Sequence, residues 1–220
     1  CWSGDLGALP LGPDTGAVRS SASWSAADAL ANQGTRTVLT YDGSQGVPFT
    51  WSEINDGSNP ITPALNDLKS DNSGGTVSDA EAEARLDYLR GDRSNEGSGY
   101  DFRVRDSELG DIVHSSPIYV GEPSSAWPDE APFPTSEPYS DYKNGTAASR
   151  QGMVYIGSND GMLHGFNADT GQEEIAFVPS ALFSDGTDKG LHYLTNEDYQ
   201  HRYYVDQTPA KGDIYANLPG

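Results

Sequence analysis

The sequence predicts an all-β protein: a partial β-propeller of about one blade and the start of a second, preceded by a small strand-and-helix segment. Three observations carry this reading. Hydrophobic residues make up only 35% of 220 residues, alongside 25 Gly and 14 Pro, which suits short strands and many turns better than a helical bundle. From residue 111 onward, β-favouring runs alternate with Gly-bearing turns, as tight antiparallel hairpins require. Ser116-Pro117 returns as Thr208-Pro209, 92 positions later (209 − 117). Four strand-like runs lie between the two markers, and four antiparallel strands in succession are the unit of a propeller blade.

The elements follow in chain order. Residues 1–30 are rich in Gly, Ser and Ala and show little periodicity. TRTVLTY (35–41) alternates as a strand, DGSQG (42–46) is turn chemistry, and VPFTWSEI (47–54) reads as a second strand. A Pro/Asn/Asp-rich stretch (55–76) precedes one helix near 78–90, SDAEAEARLDYL, with Ser78 three residues before Glu81 in capping-box spacing. Ala82, Leu86 and Leu89 give it an apolar stripe. The pre-propeller segment therefore spans 1–110. Residues 111–220 carry the first blade and the start of the next, with strands in DIVHSSPIYVG (111–121), GMVYIGS (152–158), MLHGFNA (162–168) and EIAFVPS (174–180).

A blade usually takes roughly 40–50 residues, so a spacing of 92 means either two blades or one blade with insertions, and the four strands counted between the markers select one blade with insertions. These are the proline- and aromatic-rich 122–145 and the acidic 185–201. One blade cannot close a propeller, because repeat units bury their faces on neighbours. The chain is thus expected to belong to a longer protein or to pack on a partner.

Composition narrows function. With 13 Lys+Arg against 33 Asp+Glu the net charge is −20, which disfavours nucleic acid and anionic membranes as partners. No apolar run reaches membrane-spanning length and no signal peptide is visible. Cys1 is the sole cysteine, so no disulfide forms within the chain. A chain that begins with Cys rather than Met is read as processed or cut from something longer, with a lipid-bearing N-terminus as the alternative.

VYIGSNDGMLHGFNADTG (154–171) resembles the quinoprotein-type blade repeat shared by quinone-dependent dehydrogenases and non-enzymatic propellers. In order, YLRGDRSNEG, FRVRDSELGDIVHSSPIYVG, VYIGSNDGMLHGFNADTGQE, AFVPS and YYVDQTP, between Tyr88 and Tyr215, resemble the PilC/PilY family of bacterial type IV pilus tip-associated proteins. The resemblance implies a quinoprotein-like C-terminal propeller in a much larger secreted protein, at the pilus tip or outer cell surface. It further implies adhesion, surface sensing and support of pilus assembly, with minor pilins and host or abiotic surfaces as partners. A non-adhesive scaffold docking on minor pilins is the first alternative. Some family members bind calcium through an Asp-rich loop. SNDG (158–161) and DGTDKG (185–190) hold too few spaced carboxylates for it, so no cofactor or metal ligand is expected here.

The second alternative is a quinone-dependent dehydrogenase. Such enzymes usually carry a Trp soon after the Asp-Thr-Gly turn, and many use a vicinal cysteine pair. Here QEEIAF follows Gly171 and there is one Cys, so no catalytic residue is expected. The histidines do not assemble a metal motif: His114 and His164 lie in predicted strands, while His192 and His201 flank what reads as a solvated acidic loop. His-Ser-Ser (114–116) sets hydroxyls beside a histidine, but a catalytic triad is a matter of geometry. Asn144-Gly145-Thr146 fits a glycosylation sequon.

Two candidate binding features remain. Arg90-Gly91-Asp92 is a cell-attachment tripeptide, yet it also finishes the helix, with Gly91 at the expected left-handed cap. The insertion 122–145 carries Trp127, Phe133, Tyr139 and Tyr142, which either form a partner surface or pack down on the blade.

Overall fold

A computed structural model describes residues 2–216; Cys1, and with it the reading of a processed or lipid-bearing N-terminus, lies outside them, as do residues 217–220. Strand β1 (Gly7–Ala8) pairs antiparallel with β2 (Trp24–Ser25). Ser25 then caps helix α1 (Ala26–Ala31), its hydroxyl accepting the Asp28 amide at 3.1 Å.

The hairpin of β3 (Val38–Tyr41) and β4 (Gly46–Pro48) turns where the Asp42 carboxylate accepts the amides of Ser44 and Gln45. VPFTWSEI, expected as strand throughout, leaves the sheet after Pro48, and Trp51–Ile54 form helix α2. Phe49 and Ile54 are both fully buried, and an odd spacing would place them on opposite faces of a strand. The stretch 55–76, expected to be irregular, contains α3 (Thr62–Lys69), which starts with Pro in its first turn and buries Ala64, Asp67 and Leu68. Helix α4 (Asp79–Leu89) follows the sequence closely. Ser78 Oγ accepts the Glu81 amide at 3.2 Å, and Ala82, Leu86 and Leu89 are buried.

Strands β5 (Ile118–Val120), β6 (Met153–Gly157), β7 (Leu163–Asn167) and β8 (Glu173–Phe177) form a consecutive antiparallel meander. Helix α5 (Tyr139–Asn144) lies in the insertion between β5 and β6. DIVHSSPIYVG yields only three strand residues, because Pro117 has no amide to donate and the amides of Val113 and His114 bond to Asp206 instead. Strand β3 joins the outer edge of β8 in parallel, so the order is β4-β3-β8-β7-β6-β5. Strands from both sides of residue 110 thus share one sheet, and helices join it where the sequence suggested an all-β chain.

One face of the sheet is covered. Val38, Ala176 and Met162 pack with Leu68, Leu86 and Leu89 of the helices, while Ile156 and Phe166 pack with Ala26, Leu30 and Leu109. Beneath this face lies a charged group. The Glu173 carboxylate, fully buried, accepts Arg36 Nε and Nη2 at 2.6 and 2.8 Å and bonds His164 Nδ1 at 2.7 Å. His164 Nε2 bonds Asp160 at 3.1 Å, and Asp160 accepts the Gly110 amide. A bulge between Gly165 and Phe166 puts Glu173 on the His164 face.

The blade is also held at its Asp-Thr-Gly turn. Trp24 Nε1 donates to Ala168 O at 2.9 Å. Its ring covers Gly171, where φ is +74° and a Cβ would sit 2.6 Å from a ring carbon. We expect Gly171→Ala to lower unfolding stability by roughly 1–3 kcal/mol through backbone strain and overpacking, measurable by urea titration.

Finally, 205–211 runs beside 113–119 at a constant offset of 92: the His114 amide to Asp206 at 2.9 Å, Ser115 Oγ to Gln207 O at 3.2 Å, the Ser116 amide to Thr208 Oγ1 at 2.9 Å, and Lys211 Nζ to Tyr119 O at 2.8 Å. The two copies of the sequence repeat lie side by side, in parallel and in register.

Burial by itself would push the His164 imidazole down, but the Asp160 charge and hydrogen bonds with Asp160 and Glu173 raise its pKa to about 9. Burial would raise Glu173, yet hydrogen bonds from His164 and Arg36 bring it down to about 2. The imidazolium's stabilisation is fully present below its unfolded value of 6.5 and is lost as pH rises through about 9; the carboxylate's is present above 4.5 and lost as pH falls through about 2. Stability measured by urea unfolding should therefore fall between pH 6.5 and 9, and His164→Gln, less stable overall, should flatten that alkaline decline.

Candidate functional site: an aromatic groove on the inserted loop

Pro138 opens α5, and the helix sets Tyr139 and Tyr142 three apart on one side, their ring centroids 5.8 Å apart. Facing them, Trp127 and Phe133 meet at 5.3 Å with a 40° tilt. These four rings, which the sequence singled out as a set, line one groove of about 510 Å³. Trp127 is 50% exposed and Tyr142 41%, so the rings stand at the surface rather than in either core.

Polar contacts hold the loop in this shape. Lys143 Nζ donates to Ser125 O at 3.0 Å, the Ser140 amide to Asp129 at 3.1 Å, and Arg150 Nη1 to the Tyr142 hydroxyl at 2.9 Å. The opposite wall is Asp213, Ile214 and Tyr215. Tyr139 donates its hydroxyl to Asp213 at 2.6 Å, and partial desolvation together with this bond raises the phenol pKa. The Glu137 carboxylate likewise raises Tyr215. Sequence reasoning missed this wall: it lies some 70 residues downstream (|i−j| = 74 for the Tyr139–Asp213 bond), and only folding joins it to the insertion. Glu137, Asp141 and Asp213 give the groove an acidic rim.

Arg90-Gly91-Asp92 closes α4. The Gly91 amide donates to Tyr88 O and the Asp92 amide to Asp87 O, both at 2.9 Å, with Gly91 at φ +111°, which is a Schellman cap. Arg90 points inward and donates to Phe49 O at 2.9 Å and Arg36 O at 3.1 Å. Asp92 accepts the Ser94 amide at 2.6 Å. The tripeptide lines a polar concavity with Arg36 and Glu108 instead of projecting from a loop.

The histidines serve structure. His192, expected on a solvated loop, is fully buried: Asp67 accepts its amide and Nδ1 at 2.9 and 2.7 Å, along with the amides of Ser184 and Leu191. The apolar Leu191, Tyr193 and Leu194 pull this part of the acidic insertion into the core. His201 Nε2 bonds Asp111 at 2.8 Å, and His114, which lies outside β5, pairs with Asp206. Among the described residues, no helix is long and apolar enough to cross a membrane.

Comparison with known proteins accords with this architecture. The PilY1 beta-propeller domain family matches residues 109–218, the stretch that holds the meander and the paired repeat. The chain belongs to the PilY1 β-propeller family. It is 37% identical over 222 aligned residues to the type IV pilus biogenesis factor PilY1 of Pseudomonas aeruginosa strain UCBPP-PA14, covering 97% of this chain and 18% of that protein. A PilY1 homolog of Xylella fastidiosa strain Temecula1 is 41% identical over 157 residues, covering 71% of this chain and 12% of the relative. The chain thus spans less than a fifth of the length of these curated relatives. No solved structure matches it significantly. The matched names are those of pilus biogenesis factors, and residues 154–171 lie within the stretch matched by the PilY1 beta-propeller domain.

Because one hydroxyl ties the groove's two walls together, Tyr139→Phe should loosen the segment that follows Lys211. The expected result is tryptic cleavage after Lys211 several times faster than in the parent chain, with an unchanged urea midpoint.

Proposed function

We propose that this chain is one blade, with the start of a second, of an extracellular propeller in the type IV pilus machinery, and that it acts by binding through the aromatic groove. The groove itself is the observation that carries this: four clustered, surface-held rings with acidic groups at their rim. Aromatic side chains give large contact areas at low entropic cost and dominate binding hot spots. Family membership sets this in the pilus context, and the names of the relatives support a role in pilus biogenesis. The constant-offset pairing of 113–119 with 205–211 supports the one-blade count, since equivalent inner strands of successive blades run alongside each other.

In this reading the propeller is displayed outside the cell, at the pilus tip or outer surface. Minor pilins or a host or abiotic surface are its partners, and no metal or redox cofactor takes part. The inward bonding of Arg90 favours the groove over the Arg-Gly-Asp tripeptide as the contact surface.

The test is Trp127→Ala with Tyr142→Ala in the full-length protein, in a piliated strain. Surface pili should be retained while adhesion drops roughly tenfold or more, as loss of a hot-spot pair implies. Loss of the pili themselves would favour the scaffold role on minor pilins, and unchanged adhesion and piliation would overturn the groove as a binding site.

A further inference from the structure

The aromatic groove carries negative charge with nothing to balance it. Its lining, five rings and the carboxylates of Glu137, Asp141 and Asp213, includes no lysine, arginine or histidine. Among the described residues none of the three carboxylates enters an ion pair. Asp213 accepts the Tyr139 hydroxyl, while Glu137 and Asp141 are exposed. Basic side chains near them in the chain bond elsewhere. Lys143 Nζ donates to Ser125 O at 3.0 Å, Lys211 Nζ to Tyr119 O at 2.8 Å, and Arg150 to Gly121 O and the Tyr142 hydroxyl. The Glu137 charge raises the Tyr215 phenol, as a negative field does. Carboxylates gathered without a counter-charge repel one another, and the exposed faces of aromatic rings are themselves negative. A cation set over the rings relieves both.

We infer that the groove receives a basic segment of a partner protein, with an arginine or lysine side chain laid over the rings beside the carboxylates. This rests on the groove being the binding site, as proposed above, and adds the chemistry of its occupant. A guanidinium suits the lining best, because its flat face stacks on a ring while its edge pairs with carboxylates. Ile214 and Pro134 offer apolar surface to the aliphatic stem of either side chain. The site is larger than a lone ammonium head needs. Trp127 with Phe133 and Tyr139 with Tyr142 form two ring pairs on facing sides, and the groove encloses about 510 Å³, which suits neighbouring side chains of an extended peptide. The net charge of −20 draws such a segment in and repels an anionic one.

The experiment is calorimetric titration of the full-length protein with a tetra-arginine peptide, with its uncharged tetra-citrulline counterpart and with choline, alongside adhesion of the piliated strain. Glu137→Gln with Asp141→Asn should weaken tetra-arginine binding roughly fivefold or more. Glu53→Gln with Glu83→Gln removes the same two charges from exposed sites outside the groove and should change binding less than about twofold. Glu137→Asp with Asp141→Glu, which keeps both charges, should bind more tightly than the amide pair. The amide pair should also lower adhesion, as Trp127→Ala with Tyr142→Ala does. Equal weakening by the two charge-removing pairs, no recovery in the charge-keeping pair, or equal binding of the citrulline peptide would overturn the inference. Choline bound without the tetra-arginine peptide would overturn it in favour of a small free cation. If the ring substitutions abolish adhesion and the amide pair leaves it intact, the inference fails while the groove stands as the binding site. If neither pair alters adhesion, both readings fail.

Discussion

Everything else in the fold is arranged around the Glu173 carboxylate. It has no solvent exposure and is bracketed by Arg36 and His164. A buried charge without partners is costly, and removing one partner of a buried pair is worse than never having had the pair. Arg36 comes from the segment before β3, so the meander can bury Glu173 only if that segment is docked. Gln33 reinforces the docking: its side-chain amide donates to Glu173 O at 2.9 Å and accepts the Glu173 amide at 3.1 Å, standing in for a neighbouring strand. The bulge that turns Glu173 inward is therefore the feature that makes the N-terminal segment and the blade one cooperative body.

Asp67 does the same on the helical side. Four donors converge on one buried carboxylate, a number that satisfies its lone pairs, and together they fold the start of the acidic insertion onto α3. Both insertions of the blade are consequently structured, but to different ends. The one after β8 is drawn inward by Leu191, Tyr193 and Leu194. The one after β5 keeps its aromatic residues at the surface and closes a groove against the chain's C-terminal stretch.

This division gives the blade two kinds of surface. Its second face is largely apolar, with no acidic or basic side chain in its central rows. The groove is mixed aromatic and acidic, and Tyr139, Lys143 and Tyr142 in and beside it are hydrogen-bonded locally. The Arg-Gly-Asp tripeptide belongs to neither. Its arginine holds the β3 side of the core together through two backbone carbonyls.

The sequence by itself determined the local pieces whose cause is local. These are the capped helix from Ser78 to Arg90, the hairpin strands around the Asp-Gly and Asp-Thr-Gly turns, the 92-residue repeat, the family resemblance and the aromatic clustering of 122–145. Capping, turn chemistry and alternation act within a few residues and so leave a mark in the order of residues. Only the tertiary structure decided what depends on distant partners: the end of β4 at Pro48, the burial of His192, the pairing of Trp24 with Gly171 and the wall of the groove at Asp213–Tyr215. Phe49 and Ile54 leave the strand because the core beneath them is supplied by α3 and α4, and His192 is buried because Asp67, 125 residues earlier, is there to meet it. Such choices are made by packing and by the need to satisfy buried polar groups, and neither is written in the residues next door.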